Sequence, residues 1–183
     1  MNAPKPGRYQ RSTPALIGSL IVVLVGIAVF VGLRGLLRDN PDVDPRALAP
    51  HEYAAVLEAA RADLPAVAPR AVPEGWAATS MRFAPAPTPR FHLGMLTDQD
   101  RYVGVEQSRA DVERMVRTHV DKDAEQGDDV EISDGELAGT WQSWTDAGGD
   151  YALTRTYRRT TVLVVGTAGE DTIASVATAL AAD

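Results

Sequence analysis

Cysteine is absent from this chain of 183 residues. The protein therefore has no disulfide bond, no thiol nucleophile and no thiolate ligand for a metal ion. A lipoprotein anchor is excluded too, since such an anchor is attached to a cysteine. The absence of disulfides permits an oxidising compartment without requiring one.

Histidine is scarce, and the motifs of common catalytic sites are missing. The three histidines, His51, His92 and His119, show no metal-ligand spacing such as H-x3-H or H-E-x-x-H. The chain also lacks the G-x-S-x-G of a nucleophile elbow, the G-x-G-x-x-G of a dinucleotide site and the lysine of a P-loop. We therefore predict no catalytic, cofactor-binding or metal-ligating residue and no cofactor, and expect ordinary surface or half-buried histidines.

Charge is distributed unevenly along the chain. Residues 1–38 contain five basic residues and no acidic one, which leaves 13 of the 18 basic residues and all 25 acidic residues in 39–183. The second part thus carries a net charge of −12. Nucleic acid and anionic lipid head groups would repel such a domain, so we expect neither as a ligand.

A long uncharged run stands near the amino terminus. Ala15 to Leu33 is 19 residues without a charge, and as a helix it would be ~28 Å long, close to the ~30 Å hydrocarbon core of a bilayer. A buried core helix would show a polar stripe, which this run lacks. A cleaved signal peptide is the stronger alternative, but its apolar run is usually about 7–15 residues and ends at a small-residue cleavage site. We predict a transmembrane helix over residues 15–37.

The flanking charges indicate the orientation of this helix. Lys5, Arg8 and Arg11 precede it, whereas Arg34 and Arg38 follow it. The excess of basic residues before the helix predicts a cytoplasmic amino terminus. The predicted organisation is a cytoplasmic tail over 1–14, a transmembrane helix over 15–37, a proline-rich linker over 38–49 and an extracytoplasmic domain over 50–183.

Periodicity in residues 50–183 indicates both helices and strands. Helical stripes begin near residues 50, 111 and 170, and the pairs Ser108/Asp111 and Thr167/Glu170 have the spacing of a capping box. The segment 161–167, TVLVVGT, is apolar on both alternating faces and needs cover on both. We predict an α+β domain with a mostly antiparallel sheet flanked by amphipathic helices. Its strands are predicted at 79–83, 90–96, 101–107, 130–132, 139–145, 151–157 and 161–167.

Several short segments carry a resemblance to a known family. VPEGW (72–76), YVGVEQS (102–108), TWQSW (140–144), YALTR (151–155) and TVLVVGTA (161–168) follow one membrane helix. This layout is similar to an actinobacterial membrane-anchored family known as domain of unknown function 4245, over about residues 10–182. The resemblance implies a location and a fold rather than an activity. More distantly, the order of elements is similar to the PsbP-like fold, a likeness that transfers no function.

Two tryptophans stand three positions apart in the strand predicted at 139–145. Because side chains alternate along a strand, Trp141 and Trp144 are predicted on opposite faces. Each should therefore be buried under a helix rather than form one aromatic platform. We expect residues 173, 176 or 180 against one ring and residues 112, 115 or 116 against the other.

Two charged residues lie in predicted strands between apolar neighbours. Glu106 and Arg155 could pair if their strands are adjacent, and such a pair is more commonly structural than catalytic. The sequence thus favours a single-pass protein of the cell envelope with a non-catalytic extracytoplasmic domain. That domain would bind an unidentified envelope protein or a small ligand. The alternatives are a membrane-tethered hydrolase that uses carboxylates such as Glu106, and a carrier with an enclosed apolar cavity of ~300 Å³ or more.

Overall fold

A computed structural model of the protein describes residues 48–182. The predicted cytoplasmic tail 1–14, the predicted transmembrane helix 15–37 and most of the predicted linker 38–49 lie outside these residues. Within 48–182, no helix combines the length and the apolar character needed to cross a membrane. Leu48, at the end of the linker, already belongs to the domain, because its backbone N–H donates to the carbonyl of Ala78 at 2.9 Å.

Helices and strands of the described part agree closely with the predicted periodicities. The helices are α1 (Pro50–Arg61), α2 (Val112–His119) and α3 (Glu170–Ala179). The strands are β1 (Ala68–Pro69), β2 (Ala77–Ala84), β3 (Arg90–Leu96), β4 (Tyr102–Ser108), β5 (Glu125–Gln126), β6 (Val130–Ile132), β7 (Gly139–Thr145), β8 (Tyr151–Tyr157), β9 (Thr160–Gly166) and β10 (Leu180–Ala181).

Antiparallel pairing builds one large sheet. Its strand order is β2-β3-β4-β9-β8-β7-β5, and β6 pairs with β7 as well. Strands β1 and β10 form a separate antiparallel pair. Every pairing in the described part is antiparallel. The predicted α+β class with a mostly antiparallel sheet is confirmed for this region.

Strand β9 lies at the centre of the sheet and is buried on both sides. Val162 and Val164 join the larger hydrophobic core, which includes α1 and α3 residues. Leu163 and Val165 join a smaller core formed with Met115 of α2. The two alternating apolar sets of the sequence thus correspond to two covered faces.

The helix starts differ from the predicted capping boxes. Asp111 caps α2, since its carboxylate accepts the backbone N–H of Arg114 at 2.8 Å, whereas Ser108 ends β4. Gly169 precedes α3 with a φ of 87° and no side-chain cap. The Thr167 hydroxyl instead accepts the backbone N–H of Tyr102 at 3.2 Å. Both capping-box predictions were wrong: the Ser108 hydroxyl accepts the N–H of Ala110 and donates to Met115 Sδ, and the Thr167 hydroxyl is held by the distant Tyr102.

Candidate functional site

The two tryptophans of β7 point to opposite faces of the sheet, as predicted. Trp141 is fully buried in the larger core, which also contains Ile173, Val176 and Leu180. Trp144 packs on the smaller core and is only half-buried. Its indole N–H donates to the hydroxyl of Thr154 at 2.9 Å. No shared aromatic platform forms, but the expectation that both rings are buried was wrong for Trp144.

The predicted pair between Glu106 and Arg155 does not form. Glu106 lies opposite Leu163 on the α2 side of the sheet, whereas Arg155 lies opposite Val162 on the other side. The guanidinium of Arg155 donates to the carbonyl of Leu137 at 3.0 Å instead. Neighbouring residues of β9 face opposite sides, so these two charges are separated by the sheet itself.

Glu106 lies between two histidines that are far apart in sequence. His92 is its direct cross-strand partner on β3, and its Nδ1 contacts Glu106 Oε1 in a short hydrogen bond. His119, at the end of α2, places its Nδ1 3.8 Å from the same carboxylate oxygen. The side chains of His92 and His119 keep 25% and 30% of their surface exposed, against 11% for Glu106. The carboxylate of Glu106 has thus lost most of its contact with water, and the two histidines are the polar partners that compensate for this loss.

Ser80 extends this arrangement by one further hydrogen bond. Its hydroxyl lies 2.8 Å from Nε2 of His92, the ring nitrogen that Glu106 does not contact. A register irregularity between Ala78 and Ser80 places Ser80 opposite Gly94 on β3. Bulges of this kind re-aim side chains and occur often beside functional sites. Ser80, His92 and Glu106 therefore form a continuous chain, which we call the Ser80–His92–Glu106 cluster.

Two glycines lie in the sheet next to this cluster, and their missing side chains leave the space that Ser80 and Tyr102 occupy. Gly94 and Gly104 are cross-strand partners, and a β-carbon on Gly94 would lie 2.5 Å from the Ser80 hydroxyl oxygen. The ring of Tyr102 covers both glycines, with its hydroxyl over Gly104. Burial raises the pKa of Tyr102, and the nearby carboxylates of Glu106 and Asp150 raise it further. The Tyr102 hydroxyl is therefore a protonated hydrogen-bond donor beside the cluster.

A buried glutamine on the opposite face shows how a purely structural polar group looks in this fold. Gln107 follows Glu106 in β4 and is 1% exposed. Its amide oxygen accepts the backbone N–H of Val67, and its amide nitrogen donates to Pro65 and to Thr160. Every polar atom of this side chain is used inside the core. Ser80 and His92, by contrast, keep part of their surface exposed on the other face.

The histidines and serines have distinct environments in the described part of the chain. His51 is exposed on α1 and away from the cluster. The hydroxyls of Ser108 and Ser143 are buried against Met115 and the carbonyl of Asp128. Between residues 48 and 182, no group of three or more acidic or histidine residues is arranged to hold a metal ion.

Two clefts of the described domain are lined largely by polar side chains. One of about 420 Å³ lies along α2 and is bounded by Asp111, Glu113, Arg114, Arg117 and Thr118. The other, of about 90 Å³, is bounded by Trp76, Thr97, Asp98, Gln99, Arg101, Ala168 and Thr172. Neither has the apolar lining that a carrier of an apolar molecule needs.

Sequence reasoning missed the cluster because its members are not linked by a short motif. Ser80 occurs inside a strand rather than on a strand-to-helix turn, so the motif of a nucleophile elbow cannot detect it. His92 and Glu106 each alternate with apolar neighbours along a strand. This alternation indicates that their side chains lie on the face opposite those neighbours, together with residues of adjacent strands. Their partners could be identified only with the register of β2, β3 and β4.

The family model described as "Protein of unknown function (DUF4245)" matches residues 8–180. No curated protein and no solved structure matches the chain. The first result confirms the family suggested by the short segments of the sequence. The more distant likeness to the PsbP-like fold stays a prediction.

Proposed function

The chain belongs to the DUF4245 family, and we propose that it is a single-pass protein of the cell envelope whose extracytoplasmic domain binds a ligand. The uncharged run from Ala15 to Leu33 supports the membrane helix. The basic residues Lys5, Arg8 and Arg11 support a cytoplasmic amino terminus. In this arrangement the domain from residue 50 onward faces the outside.

One observation carries the binding function: the two faces of the sheet are covered unequally. Helices α1 and α3 pack on one face over the larger core. On the other face, within residues 48–182, the eight-residue helix α2 packs against β8 and β9. The part formed by β2, β3 and β4 carries polar side chains that range from the exposed Arg82 to the buried Glu106. We call it the open face and define it by Ser80, Arg82, His92, Tyr102 and Glu106.

The chemistry of the open face favours a small polar ligand over an apolar one. Arg82 is exposed and lies directly opposite His92 in the register of β2 and β3. Together with the Ser80 and Tyr102 hydroxyls it gives the open face one cation and two hydroxyl groups. A ligand that carries hydroxyl or carboxylate groups can use all of these donors. The carrier alternative gains no support from the clefts of the described domain, so we do not retain it.

Single engineered cysteines test the topology cleanly, because the chain contains no native cysteine. Ala59→Cys, on the exposed side of α1, should react with a membrane-impermeant maleimide in intact cells. Asn2→Cys in the amino-terminal tail should react only after the cells are permeabilised. The reverse pattern would contradict the proposed orientation, and a mature chain that begins after Leu33 would contradict the anchor.

The same reagent tests whether the open face is occupied. Arg90→Cys, at an exposed position two residues from His92 on the same face of β3, should react more slowly in intact cells than in the purified full chain in detergent, because the ligand is lost on purification. Ala59→Cys, on the far side of the domain, is the matched control and should react at the same rate in both. Equal protection at both positions would indicate general shielding by the envelope. The absence of protection at position 90 would refute a ligand at the open face.

A further inference from the structure

We propose that Ser80 is an acyl-accepting nucleophile, with His92 as its general base and Glu106 as the carboxylate that positions His92. The domain would then hydrolyse small carboxylic esters at the open face. This inference adds a reaction to the surface proposed above for binding. It depends on three side chains from three adjacent strands, none of which the sequence motifs identified.

The connectivity of the three side chains matches what a hydroxyl nucleophile needs. The Ser80 hydroxyl lies 2.8 Å from His92 Nε2, and His92 Nδ1 contacts the Glu106 carboxylate. An ionised carboxylate only accepts hydrogen bonds, so it retains the proton on Nδ1. Nε2 is then free to accept the proton of the serine. This is the nucleophile, base and orienting group of acyl transfer, each within hydrogen-bond reach of the next.

Accessibility separates Ser80 from the structural serines of the domain. Ser80 is half-exposed on β2, the edge strand of the sheet. Ser108 and Ser143 are buried, and each hydroxyl is engaged with a neighbouring group of the fold. An ester can therefore approach the Ser80 hydroxyl from the open face, which is a requirement for attack on a carbonyl carbon.

The reaction proceeds in two balanced halves. The Ser80 oxygen attacks the carbonyl carbon while its proton passes to His92 Nε2. The ester C–O bond then breaks, and the departing alcohol takes that proton, which leaves an ester on Ser80. A water molecule next gives its proton to His92 and attacks the acyl carbon. The carboxylic acid leaves as the proton returns to the Ser80 oxygen.

Tyr102 is the side chain placed to stabilise the oxyanion of both tetrahedral intermediates. The Tyr102 hydroxyl lies over Gly104, the cross-strand partner of Gly94, and the Ser80 hydroxyl and one edge of the Tyr102 ring lie above Gly94. Burial raises the pKa of Tyr102, so the hydroxyl keeps its proton and acts as a donor. Donors of this kind, held in place before the reaction, stabilise developing negative charge.

A fluorophosphonate probe tests the nucleophile directly on the purified full chain in detergent. The probe should form one covalent adduct, and peptide mass spectrometry should place it on Ser80. Ser80→Ala should abolish the adduct, while Ser133→Ala, at an exposed serine, should leave it unchanged. An adduct on any other residue, or none above that of a heat-unfolded sample, would overturn the proposal.

Variants of the histidines and of Glu106 test the assigned roles. His92→Asn should slow labelling by about 10²-fold or more, the usual contribution of a general base, whereas His51→Asn should label like the parent. Glu106→Gln should also slow labelling, and Glu106→Asp should restore part of the rate. A purely structural carboxylate would change the melting temperature and not the labelling rate of the folded protein. Labelling unaffected by His92→Asn would refute the base.

These outcomes are distinguishable from failure of the binding proposal. Labelling of the parent chain needs neither the envelope nor the natural ligand, so it decides the reactivity of Ser80 even if a variant fails to fold. Protection of Arg90→Cys in intact cells is measured with Ser80, His92 and Glu106 unchanged, so it reports binding and does not depend on the reaction. Protection without labelling would support the binding site and refute the nucleophile. Labelling without protection would support the nucleophile and refute the bound ligand.

Discussion

Replacing Trp141 by alanine tests the sheet architecture most directly. The side chain is 0% exposed, and its indole N–H donates to the carbonyl of Leu137 at 3.1 Å. That carbonyl also accepts from the Arg155 guanidinium, so it keeps a partner in the variant. The cost is therefore mainly lost packing, which is typically about 3–5 kcal/mol for a buried tryptophan. For a chain of this size, that corresponds to a fall of about 6–20 °C in melting temperature.

The half-buried Trp144 provides the matched comparison. Trp144→Ala removes less buried surface and one hydrogen bond to Thr154, so we expect about half the cost of Trp141→Ala. Trp141→Phe retains most of the apolar packing and should cost about 1–2 kcal/mol. Calorimetry of the full chain in detergent measures all three variants. A melting temperature for Trp141→Ala within about 2 °C of the parent would refute the core assignment. A larger fall in melting temperature for Trp144→Ala than for Trp141→Ala would refute it as well.

Two other predictions concern charge and close packing. The backbone N–H of Ala182 and the Tyr157 hydroxyl lower the pKa of Glu136 below its ordinary 4.5. The stability this carboxylate contributes is thus complete above pH 4.5 and is lost as the pH falls through its lower folded pKa. Glu136→Gln should flatten the acid side of a urea-unfolding profile, and an unchanged slope would contradict this. A β-carbon on Gly166 would meet the backbone of β4, so Gly166→Ala should cost about 2–3 kcal/mol in the same assay. Gly149→Ala, in open space with a φ of 91°, should cost about 1 kcal/mol from backbone strain alone; equal costs would argue against the close approach of β4 and β9.

Segments with a strong local pattern were predicted nearly to the residue. The strand predicted at 90–96 is β3, and those predicted at 139–145 and 151–157 are β7 and β8. The hairpin between β8 and β9 turns at Arg158 and Arg159, with φ values of 45° and 67°. Alternation alone separated the two tryptophans, because the side-chain period of a strand is two whatever its neighbours are.

Capping and charge pairing were predicted less well, for a different reason. The hydroxyls of Ser108 and Thr167 had the right spacing for capping boxes but found partners elsewhere in the fold. Glu106 and Arg155 do not pair, because β9 lies between their strands and the two side chains are on opposite faces of the sheet. Each of these errors concerns a side chain with a choice of partners, near or far in the chain, and sequence spacing alone does not rank those partners.

The sequence by itself determined the three helices, the seven strands of three or more residues, the two-sided burial of β9 and the absence of thiol chemistry. Only the tertiary structure decided which residues meet at Glu106. The predicted strands 90–96 and 101–107 do not specify which residue lies opposite His92. In the fold, Arg101 belongs to the turn, Asp100 has a φ of 56°, and residue 106 takes that place. A shift of one residue moves a whole strand's side chains to the other face, and that shift depends on the conformation of a turn rather than on periodicity. The register irregularity before Ser80 acts in the same way on β2, so the Ser80–His92–Glu106 cluster exists only once three strands are in register.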